Sequence, residues 1–527
     1  MENQDQKTRQ DWREVRWGLW QIYRRVAAIL RITLTVLAVG VTTLFLIFQV
    51  PMVQEWAIDE ITKAISKTTG TRTEVGHFRL SLFNHLVLND VYIEDDQRDT
   101  LLFCKNLSAQ IKLSPITLLR EGLVFDELSV SEGRFNIKKA PAAEMNNLEM
   151  LLERLFPPQQ TVTKKEKKPF KLAIKKLNLD DVIFLKNDLH RGQRMKIVLA
   201  RGRIAINKMN LPGKRLEAKY IRLKGAEILI DELPYGPGYE DSLTEIEEQI
   251  PVDSTVVDTT TWDVVVKEID FSKSVFHLHN YRKAPQKSNA RDTIDYAHME
   301  VRDIDIKIKN FAIKKEVFSG KLNNISFREK SGFELSKLAA KEAIVSSREI
   351  TLNGMALITP NSNIGDTLQL KFDSFDDFAD FPNAVRLDTK FDGAKIAMRD
   401  IMAFASDLTT NPFFRKNRET TLSIDGRMYG VINNLNGRKL RILLPDGTFL
   451  QGRFDARNLA VKDNESIELR MDQLSTSMRT LRDLLPNFSL PKNFDKLGNY
   501  STGGILSVFS TALPPSDNSL PASVAPT

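Results

Sequence analysis

A short apolar pattern recurs along the chain, and it constrains the fold more than any other feature. In DELSVSEGRFNI, residues 126–137, apolar side chains stand at offsets of 0, 2, 7 and 9. A spacing of two is typical of a strand with one apolar face, because successive strand side chains point to opposite sides of a sheet. The same offsets recur in IRLKGAEILI and IDFSKSVFHL, and KLNLDD carries the first half of them.

These copies predict a repeat of β-structure. The residues on the pattern are Leu128, Val130, Phe135, Ile137, Leu177, Leu179, Ile221, Leu223, Ile228, Ile230, Ile269, Phe271, Phe276 and Leu278. The copies begin roughly 44 to 49 residues apart, an interval typical of arrays of supersecondary units. Single pairs of apolar residues arise by chance in any β-rich chain, but four copies at similar intervals favour a true repeat.

The rest of the chain predicts a mainly β protein. From Thr71 onward most segments alternate apolar and polar residues, which favours half-buried antiparallel strands. Helical spacing around AKIAMRDIMAFA and MDQLSTSMRTLRDLL predicts short helices that interrupt the sheet. A sheet with one apolar face must close, pack on a second sheet or curl around a ligand. We expect an elongated, repeating antiparallel sheet curled into an open groove.

Residues 32–50 carry no charge and are long enough to cross a bilayer, so we expect a single transmembrane helix there. A cleaved signal peptide and a buried core helix are the alternatives, but no small-x-small cleavage site follows. Lysine and arginine concentrate before this stretch and acidic residues follow it. The positive-inside rule therefore predicts a cytoplasmic N-terminus and an exported remainder.

This reading divides the chain into five parts. We expect a cytoplasmic segment at 1–31, the transmembrane helix at 32–50, and a juxtamembrane amphipathic helix at 51–70. A periplasmic β-groove region follows at 71–511, and a disordered tail rich in proline, serine and alanine ends the chain at 512–527. Pro51 is suited to the first turn of the amphipathic helix, and Gly70 is a suitable stop signal.

Catalytic and metal-binding motifs are missing from the sequence. The chain has one cysteine and six histidines, and it contains no G-x-S-x-G, P-loop, G-x-G-x-x-G or H-E-x-x-H motif. His277 and His279 share one face of a predicted strand, where an ordinary solvent-facing role is the simpler interpretation. A net charge of +7 with interspersed signs does not indicate nucleic-acid binding. We therefore expect neither an enzyme nor a cofactor.

Several segments resemble the N-terminal half of TamB-type members of the AsmA-like superfamily from Bacteroidetes-like bacteria. They are VYIEDDQRDTLLFCKNLSAQIKLSPITLLREG, FDELSVSEGRFNIKK, KKPFKLAIKKLNLDDVIFL, GMALITPNSNIGDTLQLKFDSFDDFADF and LPKNFDKLGNY. The resemblance implies an inner-membrane-anchored periplasmic bridge with a β-taco groove. It also implies that the long sheet continues after FDKLGNY, where this chain turns to STGGILSVFSTALPPS, so we expect a truncated form.

A continuous apolar groove suits the transport of lipid. Moving about 30 methylenes through water costs on the order of 20 kcal/mol, and a groove lined by apolar side chains removes most of that barrier. We expect phospholipid and the inner membrane as partners, with the pattern residues facing the acyl chains. The alternative is a scaffold or assembly factor for outer-membrane proteins, which acts with a TamA-like barrel and captures strands at its sheet edges.

Overall fold

The structure is a computed structural model of the whole chain. It describes residues 50–81, 85–111, 123–155 without 142 and 144, 172–235 without 190 and 211–213, 262–285, 292–459 without 405, 410 and 411, 466–477 with 480, and 499–509, together with 24 and part of 28–47. The predicted segment 1–31 lies mostly outside this part of the chain, and the predicted tail 512–527 lies wholly outside it.

Helix α1 spans Pro51–Thr69, where the sequence predicts a helix. Gly70 follows at φ 73°, and its N–H donates to the carbonyl of Ser66, which closes the last turn in a left-handed conformation suited to glycine. The predicted apolar face is only partly covered, since Ile61 is 51% exposed. The helix instead buries Gln54 and Thr69, because it packs on β1 and α2 through that side.

No helix within the described residues is long and apolar enough to cross a membrane. The predicted span at 32–50 includes residues outside the described part.

Twenty strands follow α1. They are β1 Thr73–Ser81, β2 His85–Glu94, β3 Thr100–Ile111, β4 Leu123–Lys139, β5 Leu172–Ile174, β6 Lys176–Asp188, β7 Gln193–Asn210, β8 Arg215–Glu232, β9 Asp263–Asn280, β10 His298–Lys314, β11 Val317–Glu329, β12 Glu334–Val345, β13 Glu349–Ile358, β14 Asn363–Lys371, β15 Arg386–Ala397, β16 Thr421–Val431, β17 Asn434–Leu443, β18 Phe449–Arg457, β19 Ser466–Ser477 and β20 Asn499–Phe509.

The twenty strands of the described residues form one sheet that is not closed. Their pairings follow the order of the chain, except that β5 and β6 both pair with β4. Most neighbours are antiparallel, but β4 pairs in parallel with β5 and β6, and β8 pairs in parallel with β9. The expectation of a wholly antiparallel sheet is therefore wrong, and the sheet is mixed. Long connections, from 140 to 171 and from 233 to 262, carry the chain back for these parallel pairings, which a short hairpin loop does not allow.

Among the described residues, the helices that follow α1 are short. They are α2 Asn147–Leu155, α3 Phe381–Ala384, α4 Met398–Phe404 and α5 Pro412–Lys416, with 3₁₀ turns at Phe375–Asp380 and Ser406–Thr409. The helix predicted near AKIAMRDIMAFA is present as α4, whereas the first part of MDQLSTSMRTLRDLL is strand β19. The spacing of Met471 and Leu474 looks helical, but it marks a register irregularity where β19 pairs with β20.

The core consists of apolar clusters along one face of the sheet. One joins Val91, Cys104, Val130 and Val182, and others follow in β8–β10, β11–β14 and β15–β18. Apart from β5 with β7, the described strands make their extensive contacts with sheet neighbours. Side chains of neighbouring strands, packed together in these clusters along the face, contribute to stability.

Candidate functional site

The pattern residues from different copies lie side by side in the sheet. Strand β6 pairs with β4 so that Leu177 is opposite Leu128 and Leu179 is opposite Val130. Strand β9 pairs with β8 in the same manner, with Ile269 opposite Ile221 and Phe271 opposite Leu223. The sequence repeat therefore corresponds to two parallel strand pairs in matching register, β4 with β6 and β8 with β9. Strand β7 lies between the two pairs.

The second position of the pattern belongs to a longer row, which we name the central row. Each of its members is directly opposite the next, from β1 to β14 with only the short β5 left out. The central row consists of Phe78, Leu88, Leu107, Val130, Leu179, Gly202, Leu223, Phe271, Ile306, Ile325, Leu338, Leu357 and Ile364. Directly paired residues share a face of the sheet, so the row is apolar throughout except at one glycine.

The other pattern positions form parallel rows beside it. The first position gives Leu128, Leu177, Ile204, Ile221, Ile269 and Ile308. The third gives Phe135, Phe184, Ile197, Ile228, Phe276 and Val301, and the fourth gives Ile137, Lys186, Met195, Ile230, Leu278 and Met299. The structure thus brings all the predicted residues together, and it adds Phe184 to the copy that looked incomplete.

A residue with positive φ explains the odd step from offset 2 to offset 7. It stands at offset 4 of the four copies, as Glu132, Asp181, Gly225 and Lys273. Strands β2, β10, β13, β15 and β17 carry a similar positive-φ residue at Asp90, Asp303, Gly354, Gly393 and Lys439. A left-handed residue interrupts the alternation, so positions an odd number of residues apart fall on the same face. Val130 and Phe135 accordingly pack in one cluster, as do Leu352 and Leu357.

Residues directly after this interruption are mostly buried. Within the described residues they are Val91, Gly133, Val182, Ala226, Ser274, Met355, Ala394 and Leu440, while Ile304 at the same offset is partly exposed. We name these buried residues the floor residues. The sequence pattern missed them because an odd offset falls on the opposite face of a regular strand. The signal that would have found them is aspartate or glycine at offset 4, since both residues tolerate positive φ.

The pattern residues themselves are mostly not buried. Val130 is 4% exposed and Ile269 is 7% exposed, but the other twelve are only partly buried. Because water still reaches so many apolar side chains on one continuous face, the face has the character of a binding surface rather than of a filled core.

The opposite face carries charged pairs across neighbouring strands. Arg203 donates to both carboxylate oxygens of Asp180 at 2.9 and 3.0 Å, and Arg222 donates to Glu268 at 2.9 Å. Such half-exposed pairs contribute about 0–1 kcal/mol each, so they set strand register and solubility more than stability. Beside the central row the two faces therefore differ in polarity.

The histidine pair is involved in local contacts. His279 Nδ1 is 3.2 Å from a carboxylate oxygen of Asp231, and its ring lies 6.2 Å from that of His277. Among the residues described, no group of three or more histidine, cysteine or carboxylate side chains is placed to hold a metal ion. Comparison of the chain with protein-family models, curated proteins and solved structures gave no match.

Proposed function

We propose that this protein is a lipid conduit that carries phospholipid acyl chains along the apolar face of its sheet. The observation that carries the proposal is the central row, which continues without a charged or polar side chain from β1 to β14. At about 4.8 Å between neighbouring strands, the row is about 60 Å long. Its partly exposed side chains offer an acyl chain an uninterrupted apolar surface.

The positive-φ residues support a curled sheet. From β2 to β10 they lie at matching positions in the sheet, as Glu132 and Asp181 do on β4 and β6, and so form one crease there. Gly354 on β13 lies on the other side of the central row. Irregularities of this kind bend a strand and increase its twist. A sheet bent along such a line becomes a trough, with the floor residues at its base and the pattern rows on its walls. In this account the trough is open along its length, like the groove expected from the sequence.

The proposed location rests on the sequence. An uncharged stretch at 32–50 with basic residues before it is typical of an inner-membrane anchor with the remainder in the periplasm. The resemblance to TamB-type proteins points the same way and suggests delivery toward the outer membrane. Because α1 begins directly after this stretch, the β1 end of the trough would stand next to the membrane.

A charge placed in the trough tests the proposal. Phe271 lies in the central row, so Phe271→Glu should block lipid binding, because burying an unpaired carboxylate beside an acyl chain is unfavourable. The matched control is Ser272→Glu, since Ser272 is opposite Lys224 on the other face and a glutamate there gains a cationic neighbour. Both full-length variants are compared for phospholipid transfer between labelled donor and acceptor vesicles.

Transfer should fall to the protein-free rate for Phe271→Glu and stay at the wild-type rate for Ser272→Glu. Equal transfer by both variants would contradict the conduit. The competing role is a scaffold for outer-membrane proteins. A scaffold needs an accessible sheet edge such as β20, and a charge in the trough should not affect its activity. A proline in β20 that stops partner capture while lipid transfer continues would favour the scaffold for that partner.

A further inference from the structure

The chain between β15 and β16 makes a long excursion, residues 398–420, which we name the strap. It contains α4 and α5 and the 3₁₀ turn between them. Ala397 and Thr421, at its two ends, are directly opposite each other in the β15–β16 pair. The strap therefore leaves and re-enters the sheet at the same place.

The strap contacts residues 292–296, which lead into β10. The N–H of Ile294 donates to the carbonyl of Ala403 at 2.8 Å, and the hydroxyl of Tyr296 donates to the carbonyl of Phe404 at 3.0 Å. Arg418 also lies 2.7 Å from the carboxylate of Asp292. These contacts hold the strap along the rim of the sheet where β10 begins.

A polar contact fixes the start of the strap. Asp400 accepts hydrogen bonds from the hydroxyls of Thr359 and Ser362, both at 2.6 Å, in the turn between β13 and β14. Ser362 in turn accepts from the N–H of Ala397 at 2.9 Å. The Asp400 carboxylate thus connects α4 to the β13–β14 turn at the rim of the sheet.

The strap covers apolar side chains that would otherwise face water at this rim. Ala403 packs with Ile294, Phe333 and Leu335, which are 4–6% exposed. The Phe404 ring meets the Phe333 ring edge to face, with 4.8 Å between centroids. Central-row residues Ile325, Leu338 and Leu357 pack against the same cluster. Most pattern residues on β4–β9 are only partly buried.

We infer that the strap is a movable barrier to lipid head groups between β10 and β15. The inference rests on the proposed function. An acyl chain in the trough leaves its charged head group in water, so the head group must travel along a rim. The strap occupies one rim from β10 to β15, and a head group on that rim stops there unless the strap moves.

The connections of the strap permit such movement. Because Ala397 pairs with Thr421, lifting the strap breaks no hydrogen bond of the β15–β16 ladder. Movement breaks the contacts with Asp292, Ile294, Tyr296 and the β13–β14 turn, together with the packing of Ala403 and Ile401 on the apolar clusters of the sheet. The contacts that hold the strap described above are made by side chains and by the backbone bond from Ile294 to Ala403, not by the β15–β16 ladder.

A reversible disulfide tests the inference. Ile294→Cys with Ala403→Cys joins two residues whose backbones already share a hydrogen bond, so oxidation locks the strap down. The matched control is Glu342→Cys with Asn353→Cys, an exposed pair that is directly opposite on β12 and β13. In each pair, a photo-cross-linking residue replaces either Leu338 beneath the strap or Leu179 on β6. The full-length protein is then mixed with vesicles of phosphatidylethanolamine and phosphatidylglycerol and irradiated.

Oxidation of the strap pair should reduce lipid cross-linking at position 338 to background, and reduction should restore it in the same sample. Cross-linking at position 179 should be unchanged, and the β12–β13 control pair should have no effect at either position. Asp400→Ala removes the hydrogen bonds from Thr359 and Ser362 to the strap, so it should increase cross-linking at position 338. Equal cross-linking at position 338 in the oxidised and reduced protein would overturn the proposal that the strap is a barrier. Absence of lipid cross-linking at both positions in every state would overturn the lipid conduit as well.

Discussion

Gly437 shows how tightly the floor of the apolar face is packed at single residues. A Cβ at this position would lie 2.2 Å from Cδ1 of Leu440 and 2.5 Å from the Phe454 ring. Leu440 is fully buried and has little room to move. Gly437→Ala should therefore lower the free energy of unfolding by about 1–3 kcal/mol, measured by urea denaturation. Gly365→Ala, where the nearest atom is at 3.6 Å, is the control and should change it little.

Tyr296 links the strap to the pH dependence of stability. Burial, with a smaller contribution from the Glu329 carboxylate, raises the pKa of Tyr296 to about 12. An unfolded chain ionises its tyrosines near pH 10, so the folded protein keeps a proton that the unfolded chain loses between about pH 10 and 12. This contribution to stability is fully present below pH 10 and is lost as the pH rises through that window.

Spectrophotometric titration at the tyrosinate absorbance checks this prediction. The difference between the wild type and Tyr296→Phe should titrate near pH 12 while circular dichroism reports a folded sheet. A difference that titrates near pH 10 would show that Tyr296 is not buried against the strap.

At the scale of the strand, the left-handed residue at offset 4 is the element that shapes the sheet. Lys273 has a φ of 52°, a conformation that β-branched side chains strongly disfavour. We predict that Lys273→Ile lowers the free energy of unfolding by about 1–2 kcal/mol, while Lys273→Gly is neutral or stabilising. Lys321→Ile, at an exposed position with ordinary φ on β11, is the matched control. Equal effects at the two positions would contradict a special role for the crease.

The sequence predicted the strands of the repeat and their apolar residues, because a spacing of two is a local property of each strand. It did not predict that the copies pair in parallel, since pairing depends on where long connections return the chain. It also missed the floor residues such as Val182 and Leu440, because one left-handed residue moves them to the apolar face. The strap contacts between Asp400 and the β13–β14 turn join distant segments, and no local pattern signals them.

For the whole molecule, the central claim is that the apolar face of the sheet holds lipid rather than the protein's own side chains. Native mass spectrometry of the gently solubilised full-length protein tests it most directly, with Phe271→Glu measured alongside. The account predicts phospholipid bound to the wild type and absent from the variant, while both retain the same sheet content by circular dichroism. A wild-type protein that is folded and free of lipid after incubation with phospholipid vesicles would contradict it.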